Sequence, residues 1–291
     1  MQPVPPATAS LRTRLRACRS FLLTPGSHPE RFAAARAGDA IIVDLESTVA
    51  VADKGRAQHA ALEFFREKPE VDFVRILRIN SPHSVEGLRD LLVLHEAEGR
   101  PDAIIIPKCQ SADEIRIVAD ILDGTRSAIG VLPMVELARA VFVAHFMADA
   151  HERVCGLFLG GGDLAADLGA EGSWENLLFA RSRLVAAAAT TGIAAIDVPY
   201  FKPDDAGFKQ EASASRRLGM TGKAALHAEQ LPEINAIFSP SADTVAHARS
   251  VLAACAAAGT GTPVLNGHVV EPAMVREAER VVAIADRLRN H

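Results

Sequence analysis

Cysteine is scarce and scattered in this chain: Cys18, Cys109, Cys155 and Cys255 stand far apart, with no CxxC pair. That argues against a zinc knuckle or a disulfide framework and suits a reducing cytoplasm. Buried small hydrophobes are the plainer account of all four. Nowhere do 18 consecutive apolar residues occur, and the opening MQPVPPATASLRTRLRA has no apolar run of signal-peptide length, so a cytoplasmic, non-membrane protein is expected. A basic stripe is also missing. The 31 Lys and Arg residues stand against 36 Asp and Glu, a formal charge of −5, and no nucleic-acid footprint is expected. No GxGxxG opens a helix after the first strand candidate, which weakens the case for a dinucleotide-binding open sheet.

What is present is a chain of 291 residues, 49% hydrophobic and 23% charged, long enough for one large domain or two small ones. Up to about Ala17 it holds three prolines and no hydrophobic periodicity, so residues 1–18 are expected to form a flexible tail. From Ser20 onward short apolar runs alternate with helical segments. Strand candidates centre on Phe21, Ile42, Val74, Ile105, Leu132, Leu157, Ala195 and Ala225, and helices are expected between nearly all of them, such as Pro29–Ala37, Lys54–Glu67 and Asp204–Leu218. Eight β/α units predict a (β/α)8 TIM barrel over residues 19–240. Beyond it, Ser241–Ala258 and Pro272–Arg289 read as helices flanking a Gly/Thr/Pro hinge at Gly259–Pro263. Residues 241–291 thus form a C-terminal helical extension or lid, and a helix beyond a hinge can pack on its own barrel or be exchanged between subunits.

In such a barrel, chemistry lies at the carboxyl ends of the strands. Read in order, those ends carry Thr24-Pro25-Gly26, Asp44 and Glu46, Arg78 and Asn80, Lys108, Glu136, Asp163, Asp197 and His227. A packed core does not require polar residues there. Val131–Gly169 is the focus: the apolar runs Ile129–Val135 and Val154–Leu159 are each followed by an acid, Glu136 or, after three glycines, Asp163. A right-handed strand–helix–strand crossover through Leu137–Ala150 puts both acids at one edge of a parallel sheet, where they can share one divalent cation. Helix capping explains either acid taken singly.

These residues also carry a resemblance. RSFLLTPGSHPERF at Arg19–Phe32, IIVDLESTVAVADK at Ile41–Lys54, RIN at Arg78–Asn80, IIIPK at Ile104–Lys108, MVELARA at Met134–Ala140, GGGDLAADLGA at Gly160–Ala170 and GKAALHAEQLPEIN at Gly222–Asn235 stand in family order. The chain resembles the citrate lyase beta-subunit-like group of the HpcH/HpaI aldolase/citrate lyase family. The resemblance implies an Mg2+-dependent C–C lyase of the aldolase or Claisen type. Its substrate would be a 3-hydroxyacyl-CoA such as citramalyl-CoA or malyl-CoA, giving acetyl-CoA and pyruvate or glyoxylate. A citryl thioester lyase beta subunit working on an acyl-carrier protein is the related alternative. It further implies a homo-oligomer, trimer or hexamer, whose C-terminal segment covers a neighbour's site.

By that resemblance Glu136 and Asp163 take the metal-ligand places and Arg78 that of the substrate-binding arginine. Gly161 and Gly162 lie beside the 2-oxo acid, and Arg19, Ser27, Arg31 and Lys54 take the CoA-facing places. Glu46 and Glu271 join Arg78 as catalytic groups, Glu271 being supplied by a neighbouring subunit. The physics is consistent. Two carboxylates leave open positions on a hard cation, and an arginine supplies a permanently charged fork for a carboxylate or a developing enolate oxygen. Departures concern acids: where the family has LEDAV this chain has Leu45-Glu46-Ser47-Thr48-Val49, and PKVES becomes Pro107-Lys108-Cys109-Gln110-Ser111. With both carboxylates replaced, a non-catalytic relative that holds Mg2+ and a 2-oxo acid is a further reading.

Overall fold

The computed structural model of the protein describes residues 6–67, 73–123, 128–202, 205–259 and 261–289. The chain divides into two compact units, Met1–Asn235 and Ala236–His291. The expected boundary at 240/241 falls five residues later than this division.

The first unit is the expected barrel. β1 (Ser20–Pro25), β2 (Ala40–Asp44), β3 (Val74–Arg78), β4 (Ala103–Ile106), β5 (Gly130–Val135), β6 (Gly156–Leu159), β7 (Ala194–Asp197) and β8 (Gly222–Ala225) form one closed sheet in chain order. Every neighbouring pair is parallel, and closure is made by Ser20 and Phe21 of β1 facing Lys223 and Ala224 of β8. All eight strand candidates therefore fall within barrel strands. Phe21, Ala40, Ile42, Val74, Ile76, Ala103, Ile105, Leu132, Met134, Phe158, Ala194 and Ile196 fill the interior. The two-residue period of a strand makes these alternate positions, and the residues between them face the helices.

Those helices are α2 (Lys54–Arg66), α3 (Val85–Glu96), α4 (Ala112–Asp123), α5 (Ala138–Ala148), α6 (Gly161–Leu168), α7 (Trp174–Thr191), α8 (Asp205–Leu218) and α9 (Leu231–Phe238). Asp204, expected to open α8, lies outside the described residues. After β1 the expected helix over Pro29–Ala37 is a 3-10 segment instead, and α6 was not anticipated because its first turn is glycine-rich. Ser84 and Ser173 cap α3 and α7, each Oγ accepting from the backbone N–H three residues on, which satisfies an otherwise orphaned donor. Cys18, Cys109 and Cys155 are buried and Cys255 half-buried, none of them in a disulfide, and burial pushes the Cys109 and Cys155 thiols up to about 12. They are packing residues.

The expected flexible tail is corrected for its described part. Pro6–Ala17 is a helix, α1, with proline at its first position, where a missing N–H is harmless. Leu11 and Leu15, one turn apart, are buried in the same cluster as the barrel interior. Arg12 fastens the helix by donating from Nε to the Val154 carbonyl at 2.9 Å and from Nη2 to that of Glu152 at 3.1 Å. Gly130 makes room, since a Cβ there would lie 2.6 Å from Leu11 Cδ2. The helix plugs the amino-terminal end of the barrel. Leu15→Ala should accordingly lower unfolding free energy by about 3 kcal/mol in urea titration; a change within about 0.5 kcal/mol, as expected of a surface site, would return the segment to a tail.

In the second unit α10 (Ala242–Ala258), capped by Ser241, packs on α11 (Pro272–Arg289) through Ala248, Val251, Val270, Ala278 and Val281. Val275 and Val282 join this cluster, while Met274 is exposed. Between them runs a hairpin, β9 (Val264–Leu265) and β10 (His268–Val269), absent from the sequence reading. Its turn is Asn266-Gly267 with φ of 50° and 82°, and Asn-Gly between Val264-Leu265 and His268-Val269 is the local signal that would have revealed it. Gly259 opens the expected hinge with φ 55°, and Thr260 within that hinge lies outside the described residues.

Candidate active site

Strand parity decides which polar strand ends face the barrel mouth. Ala40 and Ile42 point inward, as do Val74 and Ile76, and Leu132 and Met134; two residues further along each strand stand Asp44, Arg78 and Glu136. All three are buried at the carboxyl end of the interior. Asp44 and Arg78 pair face to face, with Arg78 Nε donating to Asp44 Oδ1 and Nη2 to Oδ2, both at 2.6 Å. Asp44 also accepts from the Glu46 amide at 2.9 Å and from the Thr48 amide and hydroxyl at 3.0 and 2.5 Å. Burial alone would raise the Asp44 carboxyl, but the bonds and charge of Arg78, joined by Thr48, hold it below the usual carboxylate range. Burial likewise opposes the charge on Arg78, and Asp44 overcomes it, so Arg78 is raised. Arg78 Nη2 donates a second bond to Ser47 Oγ at 2.6 Å, while Nη1 stands 3.7 Å from Glu46 Oε2. The forked head is thus locked on one side, with Nη1 the nitrogen left for a ligand oxygen.

Glu136 stands two strands along from Arg78. Its Oε1 accepts from the Lys108 amide at 2.6 Å. Burial first, and then the charges of Asp163 and Glu46, push its carboxyl up to about 7 against the opposing amide bond. Lys108 adopts φ 54°, a left-handed conformation that costs a side-chain-bearing residue roughly 1–2 kcal/mol. The Lys108 ammonium donates to Glu46 Oε1 at 2.8 Å, a bond that raises the lysine. Glu46 Oε2 is buried without a hydrogen bond. Asp163 is exposed in the first turn of α6.

The three glycines before Asp163 have separate reasons. A Cβ on Gly160 would come within 2.4 Å of the Glu136 Cβ, so the side chain of Glu136 passes over this residue. Gly161 packs against Val198 and Leu177, which explains its small size without a ligand, whereas Gly162 faces open space. Backbone access to a planar ligand, expected of both Gly161 and Gly162, therefore has a steric basis only at Gly162. Hard oxygen donors gathered in one mouth, one of them raised by burial and then by the like charges beside it, are the chemistry of a divalent cation site. Glu136 and Asp163 fit a cation such as Mg2+ on that ground. Among the described residues another group of carboxylates and histidine, Asp120, Asp123 and His151, lies close together, but at the end of α4 and before β6, away from the mouth, with Asp123 bound to Arg153.

Other expected site residues are relocated. Arg19 precedes β1 and so sits at the foot of the barrel, where its amide, Nε and Nη2 all bond the Asp39 carboxylate within 2.8 Å; it does not reach the mouth. Lys54 is a brace. Its ammonium donates to the Leu45 carbonyl at 2.8 Å, to the Glu46 carbonyl at 3.0 Å and to Asn80 Oδ1 at 2.5 Å, using all three of its donors. It holds the loop after β2 in place and has no proton left for CoA. Ser27, half-buried, and Arg31, exposed, do follow β1 on the mouth side. Asp197 is relocated as well: Ala194 and Ile196 face inward, so Asp197 faces the helices. There it bonds Arg181 at 2.9 Å and Lys223 at 3.0 Å, all three buried, and Lys223 also reaches Glu211 at 2.8 Å. That cluster ties β7 and β8 to α7 and α8. His227 is exposed and caps the turn after β8. Glu271 is exposed in the second unit, its carbonyl accepting from the Met274 amide at the start of α11.

Comparison with known proteins supplies the family. The family model described as HpcH/HpaI aldolase/citrate lyase matches residues 19–228. The L-malyl-CoA/beta-methylmalyl-CoA lyase of Cereibacter sphaeroides is 33% identical, over 99% of this chain and 98% of that protein. The citrate lyase subunit beta of Escherichia coli is 32% identical over 96% of this chain and 97% of its own. Among solved structures, CitE from Mycobacterium tuberculosis in complex with magnesium, acetoacetate and coenzyme A superposes with a TM-score of 0.74 at 30% identity, covering 94% of this chain and all of that one.

Proposed function

The chain belongs to the HpcH/HpaI aldolase/citrate lyase family, and from that premise we propose that it cleaves the C–C bond of a malyl-CoA-type 3-hydroxyacyl thioester. It is an Mg2+-dependent lyase of CoA thioesters: the relatives it matches over nearly their whole length are named L-malyl-CoA/beta-methylmalyl-CoA lyase and citrate lyase subunit beta, and the structural relative holds magnesium and coenzyme A. The observation that carries the reading in this chain is the convergence of Glu136, Asp163 and a locked Arg78 on one barrel mouth. The malyl substituent takes precedence over citramalyl because the relatives at 33% identity are named for malyl-CoA and beta-methylmalyl-CoA.

In this proposal Glu136 and Asp163 hold the cation. Mg2+ bound there supplies positive charge to the oxygens of the 2-oxo acid portion of the substrate. Arg78 presents Nη1 to the oxygen that gains charge as the bond breaks, with Asp44 and Ser47 preventing rotation of the guanidinium. Ser47, which stands where the family has an acid, leaves Arg78 paired with a neutral hydroxyl at 2.6 Å, so less of its charge is neutralised before substrate arrives. Gly162 lets the backbone approach the oxo acid, Ser27 and Arg31 face the CoA portion, and Glu46, held by Lys108, borders the reacting centre. Glu271 is supplied by a neighbouring copy in a cytoplasmic homo-oligomer, a trimer or hexamer. Among the described residues no helix is long and apolar enough to cross a membrane.

The test is a substrate panel. With Mg2+, purified protein should release glyoxylate from L-malyl-CoA or beta-methylmalyl-CoA faster than pyruvate from citramalyl-CoA, read by trapping the 2-oxo acid, and EDTA should stop it. Preference for citryl-CoA, or for a citryl acyl-carrier protein, would move the chain to the citrate lyase beta subunit role for which its relative of 32% identity is named. No 2-oxo acid from any thioester would leave a binding protein and sink the lyase reading.

A further inference from the structure

Lys108 follows Pro107 in the turn that ends β4 and holds φ at 54°. The other non-glycine residue with positive φ among the described residues is Asn266 at the corner of the hairpin, where asparagine is at home; lysine is not. Backbone held in a sparsely populated region persists only where its surroundings over-determine it, and such residues gather at functional sites. Two bonds hold this one. The amide donates to Glu136 Oε1 at 2.6 Å and the ammonium donates to Glu46 Oε1 at 2.8 Å.

The two acids belong to different strand ends, Glu136 to β5 and Glu46 to β2, with Arg78 of β3 between them in the barrel order. Lys108 therefore spans from one side of Arg78 to the other. The angle φ is the torsion about N–Cα, so it sets the direction of the side chain relative to the N–H. With the N–H aimed at Glu136, the left-handed value is what sends the side chain toward Glu46. A residue confined to negative φ would satisfy one acid and release the other. The ammonium is also the hydrogen-bond partner of Glu46, whose second oxygen is buried without one.

We propose that Lys108 is a positioning residue of the lyase reaction, its strained amide orienting Glu136 and its ammonium holding Glu46 beside Arg78. The proposal rests on the reading of Glu136 as an ion ligand and deepens it. It is tested by separating ion binding from turnover, with Mn2+ titrated by electron paramagnetic resonance and 2-oxo acid release followed at saturating Mn2+.

Lys108→Gly keeps the N–H and tolerates the left-handed backbone while removing a nearby cation, so it should bind Mn2+ at least as tightly as the parent. Lys108→Val keeps the N–H but is β-branched and resists positive φ, and should bind Mn2+ about tenfold or more weakly, the usual range for losing a partner of a ligand. Lys108→Met and Lys108→Gly should both lose about tenfold or more in kcat at saturating ion, and Lys108→Arg should recover most of it by restoring the charge. A merely structural lysine would lower ion affinity and kcat together in all four variants. Equal Mn2+ affinity in Lys108→Val and the parent, or parental kcat in Lys108→Met, overturns the proposal. Failure of the parent protein to bind Mn2+ overturns instead the ion reading on which it stands, and the proposal with it.

Discussion

Glu136→Gln should leave a folded protein that has lost at least about a thousandfold in Mg2+-dependent cleavage, a loss on the scale of the several kcal/mol of transition-state charge stabilisation that a bound cation supplies. The amide matches the carboxylate in shape and keeps one acceptor for the Lys108 N–H, now 2.6 Å from Oε1, so the turn after β4 is retained while the ligand charge is removed. The same group sets the pH dependence. Burial and the nearby charges of Asp163 and Glu46 push Glu136 up to about 7, and a carboxylate must be ionised to bind a cation. Mg2+ affinity should therefore be level above about pH 8 and fall about tenfold for each pH unit below about 6, as measured by calorimetry. For the metal-free fold the sign is opposite. A raised carboxyl favours the folded state while protonated, so this contribution is full below its unfolded value of 4.5 and is lost as pH rises through about 7. Glu136→Gln should flatten both profiles; a parent-like pH profile in the variant would remove Glu136 from the ion site.

Arg78→Lys should lower kcat/KM by about 10²–10³ while leaving Mg2+ affinity within about threefold of the parent. The guanidinium makes two bonds to Asp44 and one to Ser47, each 2.6 Å, and still has Nη1 for a ligand. A lysine ammonium is a point charge on a flexible stem. It can satisfy Asp44, which is fully buried, but it cannot also present a second, rigidly oriented donor to the reacting oxygen. Conserving the positive charge avoids the roughly 3–5 kcal/mol expected when one partner of a buried ion pair is deleted outright, so thermal melting should remain close to that of the parent. Paired with Glu136→Gln, the variant divides the mouth into an ion-holding side and an anion-orienting side. Equal loss of ion affinity in both variants would contradict that division.

The eight strands were legible because each is a short apolar run bounded by helix-forming sequence, and their parallel closure follows from the β/α alternation. The acids at 136 and 163 were legible because a strand end is a fixed address in this architecture. Asp197 shows where that reasoning stops. It ends β7 as Asp44 ends β2, yet it faces the helices and binds Arg181 and Lys223. Strands of a barrel are buried on both faces, so the run Ile193–Asp197, apolar at four consecutive positions, carries no alternation from which inward and outward can be told. The tail failed for a related reason. With Leu11 and Leu15 as its few large apolar residues, α1 looks unable to order itself, and only the open foot of the barrel makes those two side chains core. Arg19 takes a CoA-facing place by resemblance, yet it precedes β1, and strand direction alone places it at the foot with Asp39.

By itself, then, the sequence determined the β/α count, the family, and the inventory of charged groups at the strand ends, because these depend on local periodicity and on residue identity. Only the tertiary structure decided which of those groups share the mouth, because facing is a property of strand register and closure. It alone fixed the left-handed backbone of Lys108 and the bond from its N–H to Glu136, since a torsion held against its local preference is set by the groups packed around it.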